Sequence, residues 1–485
     1  MTAQVQTYDY FVNGKWASGS SVERFELRNP ATNEVIGRTP RAGKEDVDEA
    51  VEVARRAFEA SAWHEMEQTK RGKILMQIAS LIRQNFEDIA KLETLNQGKP
   101  IRESKGDVAW AIRAFEYWGG VADKIQGETI PVTPNRLTYT LREPLGVTAH
   151  IIPWNYPLAL ATRSLAPALA AGNAVIAKPS ELTPLTLLRV AEYAQKSGLP
   201  DGVMNVITGS GAVAGRALVS HPDIDGITFT GSSETGRQIM EAAAKNVTPV
   251  LLELGGKNPN IVFPDADFQR AVQMAKYAIF TNAGQMCWAG SRLFIHTEIY
   301  DKFLTELKKQ TELIKIGPGL DEKTELGPLV SKDQQERVLG YIKSGIEDGA
   351  RLLTGGQIPD EGTLRGGFFL KPTIFTDVKA AMKIGCEEIF GPVLAVFRFS
   401  SAEEVVRMAN ESQFGLYAGL WTNNLKLANQ LVSQLQAGVV AVNDYLVAYP
   451  QTPFGGYKDS GIGYESGLQA ISHYTRIKSV TVNVS

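Results

Sequence analysis

"GNAVIAKPS" (172–180), "MNVITGSG" (204–211) and "GITFTGS" (226–232) follow one another as short apolar runs, each ending in glycine or serine and each leading into a helix-like segment. That is the rhythm of β-α units in a parallel sheet, whose strands are apolar throughout because helices cover both faces. Upstream, "TPNRLTYTLREPLGVTAHII" (133–152) reads as extended, and from about Glu45 to Lys124 apolar residues recur at three and four, which predicts helices. Nearer the start, Asn13-Gly14 in "YFVNGKW" predicts a hairpin turn. A second alternating region begins near "LLELGGKNPNIVF" and continues to "LYAGLWTNNLKLANQLVSQLQAGVVAVN". The expected class is α/β, with two doubly wound domains packed around a cleft.

At 485 residues the chain is too long for one ordinary core. Lys+Arg total 50 against Asp+Glu 53, without a long run of one sign, so nucleic acid is not an expected partner. The two cysteines, Cys287 and Cys386, offer neither a disulfide framework nor C-x-x-C spacing, which suits a reducing cytosol and excludes a cysteine metal site. No basic segment followed by an apolar one marks the start, and the most apolar stretch is interrupted by Arg163 and Pro167. A cytoplasmic protein without a membrane partner is expected.

Several positions are candidates for chemistry. Cys287 lies among small residues in "NAGQMCWAGSR" (282–292), on a connection between a helix-like run and a strand, whereas most free cysteines pack inside elements. Glu253 interrupts the apolar run "VLLEL", where an unpaired carboxylate is costly unless it has a task. Asn155 sits on a turn restricted by Pro153 and Pro157, placed to cap a helix or to donate beyond it. The glycines at 209, 211 and 215 do not fit the dinucleotide fingerprint. "FTGSSETG" could present helix N–H groups to a phosphate at Gly231-Ser232, or be a capped turn. Lys178 stands at a strand's carboxyl end, with Glu181 three residues on, able to accept from a ribose diol and to repel a 2′-phosphate.

Together, "PWNYP", "AKPSE", "FTGS", "LELGGK", "GQMCWAGSR", "EEIFGPV" and "PFGGYKDSG", in that order over nearly the whole chain, resemble the aldehyde dehydrogenase superfamily. The resemblance implies that a Cys287 thiolate attacks the aldehyde, that Asn155 donates to the oxyanion, and that Glu253 activates the water hydrolysing the thioester left after hydride transfer. It implies NAD, with NADP possible, held by Lys178 and Glu181 at the adenosine ribose, Gly231 and Ser232 near the pyrophosphate, and Glu388 at the nicotinamide ribose. Phe390, Ile152, Pro153, Trp154, Ser180, Gly211, Phe229 and Leu254 would complete that site, without a metal. Residues 1–124 and 144–252 would form the NAD-binding domain, 253–458 the catalytic domain, and 125–143 with 468–485 an oligomerisation element of a homodimer or homotetramer.

The substrate is left open. Arg163 stands where relatives resembling aminoaldehyde or betaine-aldehyde dehydrogenases carry tryptophan, and it suits a semialdehyde, hydroxyaldehyde or aromatic aldehyde; the second arginine of a carboxylate clamp would fall at Thr281. Tyr156, Trp288, Tyr445 and Tyr449 are candidate aromatic walls. Many relatives read Gly-Arg-Glu where this chain has Gly463-Tyr464-Glu465, which puts that arginine's bracing role in doubt. A CoA-acylating relative and a non-catalytic binding protein are the competing readings; an intact Glu253 argues against the first, and Cys287, Glu253 and Asn155 together against the second.

Overall fold

Asn13 and Gly14 take φ of 54° and 71°, the left-handed pair a two-residue hairpin requires, and join Tyr10–Val12 to Lys15–Ala17. The structure is a computed structural model and describes residues 6–60, 62–360 and 362–485. The hairpin lies at the edge of an eight-stranded sheet, antiparallel to Met204–Val206. Inward from there the strands are parallel: Ala174–Pro179, Val147–Ile152, Gly226–Thr230 and Val250–Glu253. Gly461–Ile462 closes the far edge antiparallel.

The strand Ala174–Pro179 is buried at every position, and the alternation of a strand divides it between two cores. Val175 and Ala177 join one face, against helices Gln68–Gln84, Ile101–Val121, Pro157–Ala171 and Leu185–Lys196. Ala174 and Ile176 join the other, against Lys44–Glu59 and Ser233–Ala244. Truncating fully buried Ile176 to alanine would cost about 2–5 kcal/mol. The interrupted apolar stretch is the core helix Pro157–Ala171, which opens on Pro157 and ends at Gly172 with φ 98°. Among the described residues no helix is long and apolar enough to cross a membrane.

A second sheet runs Arg351–Thr354, Thr373–Thr376, Val393–Phe399, Arg292–His296, Pro259–Val262, Tyr417–Trp421 and Val439–Val442, parallel except at the first. The chain passes from Glu253, at the carboxyl end of the first sheet, through Gly255-Gly256 to Pro259, at the amino end of the second. The carboxyl edge of one sheet therefore meets the amino edge of the other, and the connections that carry the motifs lie where they meet. A third sheet pairs Arg136–Pro144 with Thr129–Ile130 and with Thr475–Asn483. The terminal strand finds its ladder partner inside the chain along its whole length, from Thr475 opposite Pro144 to Asn483 opposite Arg136.

Candidate active site

Helix Phe268–Phe280 stops at a turn, Thr281–Gly284, in which Asn282 and Ala283 adopt left-handed φ of 48° and 52°. Asn282 is 1% exposed and spends every polar atom. Its backbone N–H donates to Glu103 (2.8 Å), its Oδ1 accepts from Gln97 Nε2 (3.0 Å), and its Nδ2 donates to the carbonyl of Asn155 (2.8 Å). Its own carbonyl accepts from Gln285 Nε2 at 3.0 Å. Asn155 Nδ2 in turn donates to the carbonyl of Gln285, at 3.0 Å. The turn before Cys287 and the turn carrying Asn155 thus lock each other, and the second N–H of the Asn155 amide is left for another acceptor.

The cysteine's own backbone is held from the other side. Asn258 Nδ2 donates to the Cys287 carbonyl (2.8 Å) and to that of Ala289 (2.9 Å). A Cβ on Gly256 would lie 2.3 Å from the same Cys287 carbonyl oxygen, so only glycine permits the approach. Cys287 is half-buried and packs with Trp288 against Ala278, Leu416, Tyr417, Tyr445 and Phe454. Burial pushes its thiol up to about 12; Arg163 opposes the rise, and Glu253 and Glu388 add to it. The expected thiolate is therefore a thiol at rest, because an anion there has lost its water and faces two carboxyl groups.

Glu253 ends its strand 1% exposed, and neither carboxyl oxygen has a hydrogen-bond partner among the described residues. Burial raises its pKa well above the usual carboxylate range, against the pull of Arg163 and reinforced by Glu465. Burial therefore disfavours the charged form of both Glu253 and Cys287, and Arg163 is the charge that opposes it at each. Arg163 forms an ion pair with Glu465 and lies 5.0 Å from the centre of the Phe454 ring. Burial works against its charge, and Glu465, Glu253 and Cys287 more than offset that.

On the other flank, Glu388 Oε1 accepts from the Gly256 N–H at 3.0 Å, and burial pushes its carboxyl up to about 7. A Cβ on Gly255 would lie 2.3 Å from its other oxygen. Phe390 sits edge-on to Trp154 with ring centres 5.2 Å apart. Lys178 Nζ donates to the carbonyls of Pro179 (2.9 Å) and Gly209 (2.8 Å) and lies 3.8 Å from Glu181. Beside it opens a cleft of about 710 Å³ lined by Gly211, Gly215, Phe229, Ile239 and residues of helix Ser233–Ala244. Ser232 caps that helix, accepting from the Thr235 N–H at 3.2 Å. Ser180 Oγ accepts from the Leu182 N–H at 3.3 Å, Gly231 N–H donates to the Glu253 carbonyl at 3.0 Å, Pro153 is half-buried, and Ile152 and Leu254 are core residues.

The aromatic candidates separate. Trp288 stands edge-on to Tyr417 (5.3 Å) and Phe454 (5.6 Å), and Tyr156 carries Lys99 Nζ 3.8 Å from its ring centre. Tyr445 packs inward. It is 1% exposed, its hydroxyl donates to the Trp288 carbonyl at 3.2 Å, and its ring fills the space where Gly419 lacks a Cβ. Tyr449 is exposed. Sequence reasoning missed Asn282, Asn258, Gln97, Glu103, Glu465 and Phe454 as parts of the site. Asn282, Phe454 and Glu465 lie inside quoted stretches and Asn258 directly follows one, but no periodicity or spacing links Gln97 and Glu103 to a cysteine so far along the chain.

Two largely parallel α/β sheets joined through Gly255-Gly256, with a cysteine, a carboxyl group and a carboxamide at the junction and a nucleotide-sized cleft on the first sheet, suit a nucleotide-dependent dehydrogenase. Residues 16–480 match the model of the aldehyde dehydrogenase family, and the chain belongs to that family. It is 45% identical to a betaine aldehyde dehydrogenase of Bacillus subtilis (98% of this chain, 97% of the relative). It is also 45% identical to a hydroxyisobutyraldehyde dehydrogenase of Mycolicibacterium austroafricanum (98% and 93%). The NAD+ complex of an aldehyde dehydrogenase from Bacillus cereus superposes with a TM-score of 0.97 at 44% identity, covering 99% of this chain and 97% of that one.

Proposed function

We propose that this chain is an NAD-dependent aldehyde dehydrogenase that oxidises an aldehyde to a carboxylic acid through a thioester on Cys287. The observation that carries the reading is the convergence of Cys287, the Asn155 amide and the unpartnered Glu253 carboxyl at the junction of the two sheets. The residues present fit NAD: a cleft large enough for an adenosine is lined by Gly211 and Gly215, the latter against buried Lys178, and Glu388 is positioned by Gly256. Glu181 suits a free ribose diol, which favours NAD over NADP. When bound, NAD supplies the hydride acceptor.

The chain's own residues do the rest. Cys287 Sγ gives its proton to solvent and adds to the aldehyde carbon, and the oxyanion of the thiohemiacetal accepts from Asn155 Nδ2 and the Cys287 N–H; one such donor is worth about 3–4 kcal/mol in the transition state. After oxidation, Glu253 as carboxylate takes a proton from water as the water attacks the thioester carbon and returns it to the leaving Cys287 sulfur, releasing the acid and the thiol. The three-stranded sheet, with residues 125–143 and 468–485, is the proposed subunit contact, in a dimer or tetramer. A cytoplasmic location agrees with the reduced cysteines. NADH formed from an aldehyde without CoA, with NAD giving a higher kcat/KM than NADP, tests the reading; NADH and acyl-CoA formed only when CoA is supplied would favour an acylating relative.

A further inference from the structure

Arg163 enters the site with its charge already answered. It is ion-paired with Glu465, which is 1% exposed, and its guanidinium covers the face of Phe454. From these contacts we infer that the site selects uncharged aldehydes with an apolar or aromatic body over aldehydes bearing either a carboxylate or a quaternary ammonium group. The inference rests on the aldehyde dehydrogenase reading above.

A substrate carboxylate would have to displace Glu465, stranding a buried carboxylate, or add another anion near Glu253. No second cation awaits it at Thr281, whose hydroxyl donates to the Tyr277 carbonyl at 2.9 Å. The charged groups whose fields reach Cys287 are Arg163, Glu253 and Glu388, and the only cation among them is the one paired with Glu465. A quaternary ammonium group needs free aromatic faces. Here Arg163 lies over Phe454 and Lys99 lies over Tyr156, so two such faces already host a cation. The hydrophobic residues packed with Cys287 include Trp288, Leu416 and Tyr417, and Trp288 stands edge-on to both Tyr417 and Phe454. Arg163 Nη2, buried and without a hydrogen-bond partner among the described residues, is a donor suited to a neutral substrate oxygen.

The test measures initial NADH formation on benzaldehyde, hexanal, succinic semialdehyde and betaine aldehyde. Wild type should give kcat/KM at least about tenfold higher for the two uncharged aldehydes than for either charged one. Glu465→Gln keeps the shape and frees the Arg163 charge, so the succinic semialdehyde to benzaldehyde ratio should rise by about tenfold or more. Arg163→Met combined with Glu465→Gln, which removes both charges of the pair, should bring that ratio back to the wild-type value. A wild-type preference for either charged aldehyde, an unchanged ratio in folded Glu465→Gln, or a ratio in the double variant as high as in Glu465→Gln alone would overturn the inference. If wild type oxidised none of the four, it is the dehydrogenase reading that would fall.

Discussion

At the scale of single residues, burial decides what the reactive groups are before substrate arrives. A thiol with a pKa near 12 is ionised in roughly one molecule in ten thousand at pH 8, so Cys287 waits for a base and a cation rather than resting as a nucleophile. Alkylation of Cys287 by iodoacetamide should therefore accelerate about tenfold per unit between roughly pH 7 and pH 10 in the absence of cofactor. Arg163→Met should slow it further, because Arg163 is the charge that opposes the rise. A rate already level by pH 8 would contradict the buried-thiol account. Cys287 and Glu253 stood out as candidates by their placement among small residues and within an apolar run. Their protonation was not legible there, since it depends on Arg163 and Glu465, partners from opposite ends of the chain that no local pattern brings together.

At the scale of elements, the turn Thr281–Gly284 and the helices Phe86–Gln97 and Ile101–Val121 act as one support. Asn282→Asp would turn the donor on the Asn155 carbonyl into an acceptor facing an acceptor, and kcat/KM should fall by about a hundredfold. Asn282→Gly keeps the left-handed backbone and should lose less; equal losses would mean that the turn's shape, not its hydrogen bonds, positions Asn155. Glu103, which accepts from the Asn282 N–H, gives a separate test. Burial, opposed by Lys99, pushes it from 4.5 to about 7, so its folded form holds a proton that the unfolded chain releases. The associated stability is complete below pH 4.5 and lost as pH rises through 7. Between about pH 5 and pH 8, urea unfolding should show wild type losing on the order of 1–3 kcal/mol more than Glu103→Gln, which keeps the acceptor oxygen. Parallel curves would refute the shift. Helical periodicity foretold these helices, but not that their buried carboxylates serve the active site, because that depends on the pairing of elements distant in sequence.

At the scale of the whole molecule, the alternation of short apolar strands with helices was enough to foresee two α/β sheets, because a strand buried on both faces leaves a run that few other structures share. What the alternation could not say is how the sheets meet, carboxyl edge against amino edge, since that is set by side-chain contacts such as Asn155 to Gln285 and Glu388 to Gly256. The small third sheet exposes Leu137, Leu141 and Val482, with Leu137 opposite Val482 in the ladder. As the proposed subunit contact it makes a prediction: Leu137→Lys combined with Val482→Lys should reduce the mass measured by light scattering toward that of the single chain, and an unchanged oligomer would place the contact elsewhere. The central claim, that Cys287 carries the acyl group and Glu253 releases it, is tested most directly by mixing Glu253→Gln with NAD and aldehyde and following NADH and protein mass together. The account predicts a burst of about one NADH per chain, followed by slow turnover, with the acyl mass on the Cys287 peptide. Steady turnover at the wild-type rate with unmodified cysteine would contradict it.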